Sequence, residues 1–564
     1  MERRVVLAVL LMFATVIVVN LLFPPPPPTR APAGAEPAET ATTGTEPATR
    51  APRPEGVLPP SAVPAPEPAP AETVAVVTPL LDLRFVTRGG ALVRAALPRY
   101  ESLAEGRRRE PVQVVKPGEA ILAARWVVGQ DTIDLGAVPF TPNVPRLELA
   151  EGSEPATLEF EYAHPSAPFG VHLAYTFAPD RYLVEVHGTV RGAGGGWWVL
   201  DLGTGLRNNE ADAKENRENL AIVVNGPRGI ESVRFREIEP GTTRLLDGPH
   251  RWAAIRDKYF LLAVLAPDET APLGGLLARA GAERYQAHVV VTAPVTRAGT
   301  FRYRVYLGPQ DTPQLARIGA GLQDVNPYGW AFLRPLIRPL ARGITALLLW
   351  ARDALGIGYG WILVLFGIGV RVVLFPLYQS TMRSQMRMAE LQPALQEIQA
   401  RYRSDPARMQ QELMKLYREK GMTPLTPLTS GCLPMLLPFP FLIALFFVFR
   451  DTIEFRGAHF LWMPDLSRPD PYYVVPVLMG LSMFALSWLG QRAVSQTNPQ
   501  MKILMYVMPA MMTIFFLALP AGLNVYYFAM NVASIPQQLY LNRERRRLAE
   551  ERKQKEKQKE RAGT

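Results

Sequence analysis

The chain has 564 residues, 48% of them hydrophobic and 20% charged, with a formal net charge of +10. That length has room for about three or four domains, and the single cysteine, Cys432, excludes an internal disulfide. The basic balance favours an anionic partner: lipid, RNA or an acidic protein surface.

Residues 5–23 form an apolar stretch long enough to span a bilayer, preceded by Arg3 and Arg4. A signal peptide is the rival reading, but its apolar core would be shorter and a small-x-small cleavage site should follow. Prolines 24–28 follow instead, so an uncleaved anchor with a cytosolic N-terminus is expected. Residues 24–72 are mostly Pro, Ala, Thr and Glu, a composition that cannot bury a core, and are expected to be a disordered linker.

Residues 73–325 alternate apolar and polar side chains. Thr157-Leu-Glu-Phe-Glu-Tyr162, Tyr182-Leu-Val-Glu-Val-His187 and Phe301-Arg-Tyr-Arg-Val-Tyr306 have the period of half-buried strands. Many such runs between turn residues predict an all-β sandwich. Residues 326–356 mix arginines with Leu, Ile and Trp, the pattern of an interfacial amphipathic helix. A short helix packed on the sandwich is the plainer alternative.

Apolar runs follow near 358–378, 432–449, 474–490, 503–519 and 523–541. With the first anchor they make six expected spans, so both termini share one side. Arginines and lysines crowd 379–431 and the tail 542–564, which places those segments in the cytosol and the β domain outside it.

Arg371 is the one charge in the run 358–378. A central arginine in a membrane helix costs roughly 2.5–3.5 kcal/mol on insertion scales, which makes it a functional hypothesis. It is expected about 10 Å from the cytosolic end of its helix, where snorkelling to the headgroups is the competing explanation. In the last run, Asn524, Tyr527, Asn531, Ser534 and Gln538 are spaced by three and four, which puts them on one helical face. No Asp or Glu lies inside an expected span. The economical reading is a wet, positively charged pocket open to the cytosol and suited to an anionic visitor. Interhelical hydrogen bonding alone could also account for Asn and Ser there.

The cytosolic segment 379–431 reads as a helical hairpin. Met382, Met386 and Arg387 lie on its first arm, and Ser404-Asp-Pro406 starts the second, which carries Arg408. Methionine-rich faces suit varied apolar partners, and simple packing of the two arms is the alternative. The basic tail is expected to bind ribosomal RNA or anionic lipid, or to act only as a topology signal. Nucleotide-loop, zinc-protease and serine-hydrolase signatures are missing, so no enzyme, cofactor or metal is expected.

Six motifs carry a resemblance. They are Val370-Arg-Val-Val-Leu-Phe-Pro-Leu377, Met388-Ala-Glu-Leu-Gln-Pro393, Gly431-Cys-Leu-Pro434, Asp470-Pro-Tyr-Tyr473, Pro520-Ala-Gly-Leu523 and Val525-Tyr-Tyr527. In this order and spacing the chain resembles the YidC membrane protein insertases of Gram-negative-type bacteria over essentially its whole length. The resemblance implies a polytopic α-helical membrane protein with a five-helix insertase core and a periplasmic β-super-sandwich. It implies a groove open to cytosol and lipid, with Arg371 as the groove arginine and Phe515, Leu442 and Tyr527 on the substrate-contacting face. It also implies nascent membrane proteins as clients in the lipid bilayer, with the ribosome and the secretion channel (Sec translocon) as candidate partners. Two departures stand out: the segment before Cys432 is longer than usual, and Pro438 and Pro440 are expected to kink the third span. A transporter or flippase for an anionic lipid or solute is the rival function, but the inverted repeat common in transporters is not evident. An external sugar-modifying enzyme is a further rival, though nothing in the spacing of His164, His172, Glu185 and His187 singles them out.

Overall fold

The computed structural model describes residues 71–562, apart from 193, 327–332, 377–378, 380–393, 396, 399, 404, 420–437 and 492–498. The expected anchor, most of the linker, the recruitment residues Met382, Met386 and Arg387, and the segment before Cys432 lie outside the described residues. The chain divides into two compact units, with the boundary between Pro327 and Tyr328.

The first unit is built from β-strands, with short helices α1 (Ala213–Asn219) and α2 (Thr312–Ile318). The three strands read from alternation appear as Ala156–Ala163, Leu183–Arg191 and Thr300–Pro309. All three belong to one nine-stranded sheet, whose neighbouring strands pair antiparallel. Period two fixes which face is buried: Leu158 and Phe160 are fully buried while Glu161 is exposed. A six-stranded sheet containing Trp197–Asp201 packs on this sheet, with the ring of Trp198 stacked on Phe301 at 4.1 Å. A five-stranded sheet containing Asp82–Val86 brings Phe85 to 5.1 Å from Tyr175. Gly188 stands opposite Phe301 in the ladder, and a Cβ there would lie 2.0 Å from the ring. Glycine at that position lets the ring fold over the neighbouring strand.

The second unit is helical: α3 (Arg334–Leu355), α4 (Tyr359–Val373), α5 (Pro406–Glu419), α6 (Pro438–Asp451), α7 (Val474–Gln491), α8 (Pro499–Phe516) and α9 (Ala521–Ala562). The expected amphipathic helix is α3. It buries Ile337, Ala341, Ile344 and Leu348 at helical spacing and packs on α6, while Leu347 and Trp350 are exposed. Gly356, in the left-handed region at φ 65°, ends it. The chain then bends by 117° into α4. Arg352 holds the corner by donating to the Tyr359 hydroxyl at 3.1 Å, with its guanidinium 4.7 Å from the ring centre.

The helices depart from the expected spans in several places. Among the described residues no single helix is long and apolar enough to cross a membrane, and α3 with α4 reach that length only as a bent pair. The continuous helix α4 runs to Val373, with a turn at Leu374 before Pro376, which has no N–H to give the carbonyl of Val372; the expected end at 378 lies outside the described residues. Pro438 and Pro440 are among the first described residues of α6, and what precedes them lies outside the described residues. The basic tail is not a separate segment: α9 runs through the expected boundary at 541 for 42 residues, about 63 Å at 1.5 Å per residue. The second arm of the hairpin is α5, where Asp405 accepts the backbone N–H of Arg408 at 3.1 Å.

The segment between α6 and α7 is packed. Asp470, 1% exposed, accepts from the N–H groups of Tyr472 (3.0 Å) and Val475 (2.8 Å) and from Trp462 Nε1 (3.0 Å). Through Val475 it satisfies an orphan donor in the first turn of α7. The start of α9 docks on the same segment: Ala521 N–H donates to the Arg468 carbonyl and Gly522 N–H to that of Leu466, at 2.6 and 2.9 Å.

Candidate functional site: a buried arginine at the end of a membrane-core helix

Arg371 lies in the last turn of α4 and is 9% exposed. A helix C-terminus carries partial negative charge from its unsatisfied carbonyls, so a cation is favoured there by about 0.3–1 kcal/mol. Arg371 is thus two residues from the end of α4.

Two features bring α9 against it. Gly367 has no side chain, and a Cβ there would sit 2.7 Å from the Tyr526 carbonyl oxygen and 3.2 Å from Ala529 Cβ. The two backbones approach closely for that reason. The approach delivers Gln537, whose Nε2 donates to the Arg371 carbonyl oxygen at 3.4 Å. Gln537 Oε1 is buried with no hydrogen-bond partner among the described residues.

The side chains from Asn524 to Gln538 bond to the end of α8, to α7 and to their own helix. Asn524, fully buried, donates to the Phe516 carbonyl at 3.1 Å and so closes the turn from α8 to α9. Asn531 donates to Ser482 Oγ at 3.0 Å, and Ser482 donates on to the Met479 carbonyl at 2.6 Å. Ser534 donates to its own helix at Met530 O, 2.7 Å. Gln538 donates to Asn542 Oδ1 at 3.1 Å, and Asn542 reaches the Leu489 carbonyl at 2.7 Å. Tyr527 packs its ring 5.3 Å from Phe516. The face carrying Asn531 and Asn542 thus abuts α7, whereas Gln537, about 100° from Gln538 around the helix, abuts α4. Asn531 makes a hydrogen bond between helices. Gln537, three residues after Ser534, was not among the expected residues, and the signal that could have found it is Gly367, a glycine marking close helix approach.

Phe515 is half-buried, its ring 5.7 Å from Phe516, and Leu442 packs against the helical core. Arg408 is exposed on α5 with its guanidinium 5.8 Å from the Tyr402 ring. A further pair escaped the sequence reading: Arg450 and Asp451 end α6 nearly buried, joined by two bonds of 2.6 and 2.9 Å. The guanidinium also lies 5.0 Å from the Phe446 ring. Among the described residues no group of three or more potential ligands is placed to hold a metal.

The helical unit matches a family described as "60Kd inner membrane protein" over residues 350–549, and residues 73–342 match "YidC periplasmic domain". A "Membrane protein insertase YidC" from Chlorobaculum parvum is 31% identical over 417 residues, 70% of this chain and 69% of the relative. One from Geobacter metallireducens is 30% identical over 537 residues, 91% and 93% of the two chains. The chain belongs to the YidC family. Its β-sandwich is the family's periplasmic domain, and its helices α4, α6, α7 and α8 fall inside the inner-membrane region of the YidC match. Arg371 and Gln537 both lie in that region. The YidC relatives are named as insertases, not as enzymes.

Proposed function

We propose that the chain inserts nascent membrane proteins into the inner membrane and helps them fold, without nucleotide hydrolysis. Six spans place both termini, the hairpin and the basic end of α9 in the cytosol and the β domain in the periplasm. The observation that carries the reading is Arg371: a buried cation at the end of an apolar helix, with the amide of Gln537 against its backbone. In a site of reduced dielectric, a cation attracts an acidic flank more strongly than it would in water. The apolar segment of the client then slides past Phe515 and Leu442 into lipid. Burial worth roughly 25 cal/mol per Å² of apolar area drives its release. The hairpin arm bearing Arg408 receives clients, and the basic end of α9 meets the ribosome. The Sec translocon is a second partner under this reading.

Site-specific photocrosslinking from position 371 tests it. Adducts with nascent membrane proteins, formed during synthesis and lost once the client is released, are expected. Labelling of lipid or solute alone would favour a flippase or transporter.

A further inference from the structure

The β unit contains an open cleft of about 400 Å³, walled by Val93, Val115, Pro111 and Pro117. Its charged lining is Arg94, Lys116 and Arg207 against the single carboxylate of Glu110. We propose that this cleft is a binding site for a small dianionic ligand, one bearing carboxylate or phosphate groups.

The cations are held in place, but the bonds that hold them mostly do not neutralise them. Lys116 Nζ donates to the Thr204 carbonyl and hydroxyl at 3.0 and 2.9 Å, and Thr204 in turn donates to Glu119. Arg207 is fixed through its backbone, its N–H donating to the Val114 carbonyl at 3.0 Å. The Arg207 guanidinium makes no hydrogen bond or ion pair among the described residues. Arg94 is 3.6 Å from Asp82, a carboxylate that Arg84 also approaches. A further cation, Arg107, is held near Arg207 by the Asn208 carbonyl at 2.6 Å.

Desolvation pushes the Arg207 guanidinium below its ordinary value, with Arg107 and Arg94 adding to the effect against Glu110. Desolvation likewise lowers Lys116, opposed by Glu119. Lys116 and Arg207, half-buried, and the exposed Arg94 gather like charges around the cleft, and an entering anion relieves their repulsion. Arginine forks match carboxylate and phosphate oxygens two at a time. The apolar walls would accept a short carbon body between the charged ends, and the cleft volume lies in the range of small-ligand sites.

The test is hydrogen exchange on the full chain in nanodiscs, with citrate and inorganic phosphate as probes, glucose as a neutral control and ionic strength matched with sodium chloride. Saturable protection of the strand Pro111–Gln113 and of the backbone at 207 by either anion is expected. In Arg207→Gln, and separately in Arg94→Gln, the half-saturating concentration should rise about tenfold, the loss of roughly one charge-assisted bond. Exchange without ligand should be unchanged in both variants. The proposal is overturned if neither anion protects these segments, if glucose protects them equally, or if both variants saturate like the parent.

Discussion

Asn531 Nδ2 donates to Ser482 Oγ at 3.0 Å, and this bond sets which side of α9 faces α7. The flank with Gln537, about 120° around the helix from Asn531, is turned to α4 and Arg371. Removing either partner should cost about 0.6 kcal/mol, the typical worth of an interhelical hydrogen bond in a membrane protein. Asn531→Ala and Ser482→Ala should therefore be non-additive. Reversible unfolding of the single and double variants in mixed micelles checks this. Additive losses would show that the bond does not stabilise the helix pair.

The Gly367 contact makes a stronger demand. A side chain there meets the Tyr526 backbone, which cannot rotate away. Gly367→Leu should destabilise the helical unit by about 1–3 kcal/mol, the usual cost of overpacking. It should also lower insertion activity, because α4 moves off α9 and carries Arg371 with it. Gly360→Leu is a comparison at the other end of α4, where a Cβ would lie 2.0 Å from the Phe460 ring. It should lower thermal stability as well, while leaving cysteines placed at 371 and 537 able to be joined by a short bis-thiol crosslinker, since the Gln537 side chain spans the gap to the Arg371 backbone. Failure of that crosslink in the parent background would contradict the α4–α9 placement.

The β domain should show a pH-dependent local stability. Asp201 accepts from His288 Nε2 at 2.7 Å, and this bond raises the imidazole above its ordinary value against the desolvation that lowers it. A raised folded value means that the stabilisation is full below about pH 6.5, the unfolded value. It is lost as pH climbs through the folded value. Because the pair is partly exposed the effect is small, on the order of a degree in unfolding temperature. Hydrogen exchange in the strand Ala287–Pro294 should quicken over that window beyond its intrinsic pH dependence, and His288→Gln should abolish the excess. An excess that persists in His288→Gln would assign it to another group.

The strands were legible in the sequence because each buries one face, so period two survives in runs such as 157–162. The α3 amphipathic face was legible for the same reason, and the Asp405 cap because its signal is local. The orientation of α9 was not. Polar side chains occur on more than one of its faces, and three-four spacing groups Asn524, Asn531 and Gln538 without saying which neighbour they meet. Gln537 became visible only once Gly367 had set the helix separation. The break after Val373 was not legible because hydrophobicity runs on through Leu374 and Phe375. Asp470 stood in the sequence only as part of a motif, whereas in the fold it caps a helix from a buried position.

The central claim is that the charge of Arg371 receives acidic client segments. It is tested most directly by insertion assays with clients that differ only in acidic residues in the translocated tail, using Arg371→Ala and Arg371→Lys. Arg371→Ala should reduce insertion of the acidic-tail client by about tenfold, roughly 1.4 kcal/mol of lost attraction, with little effect on the neutral-tail client. Arg371→Lys should retain most of the activity. Normal insertion of the acidic-tail client by both variants would contradict the account.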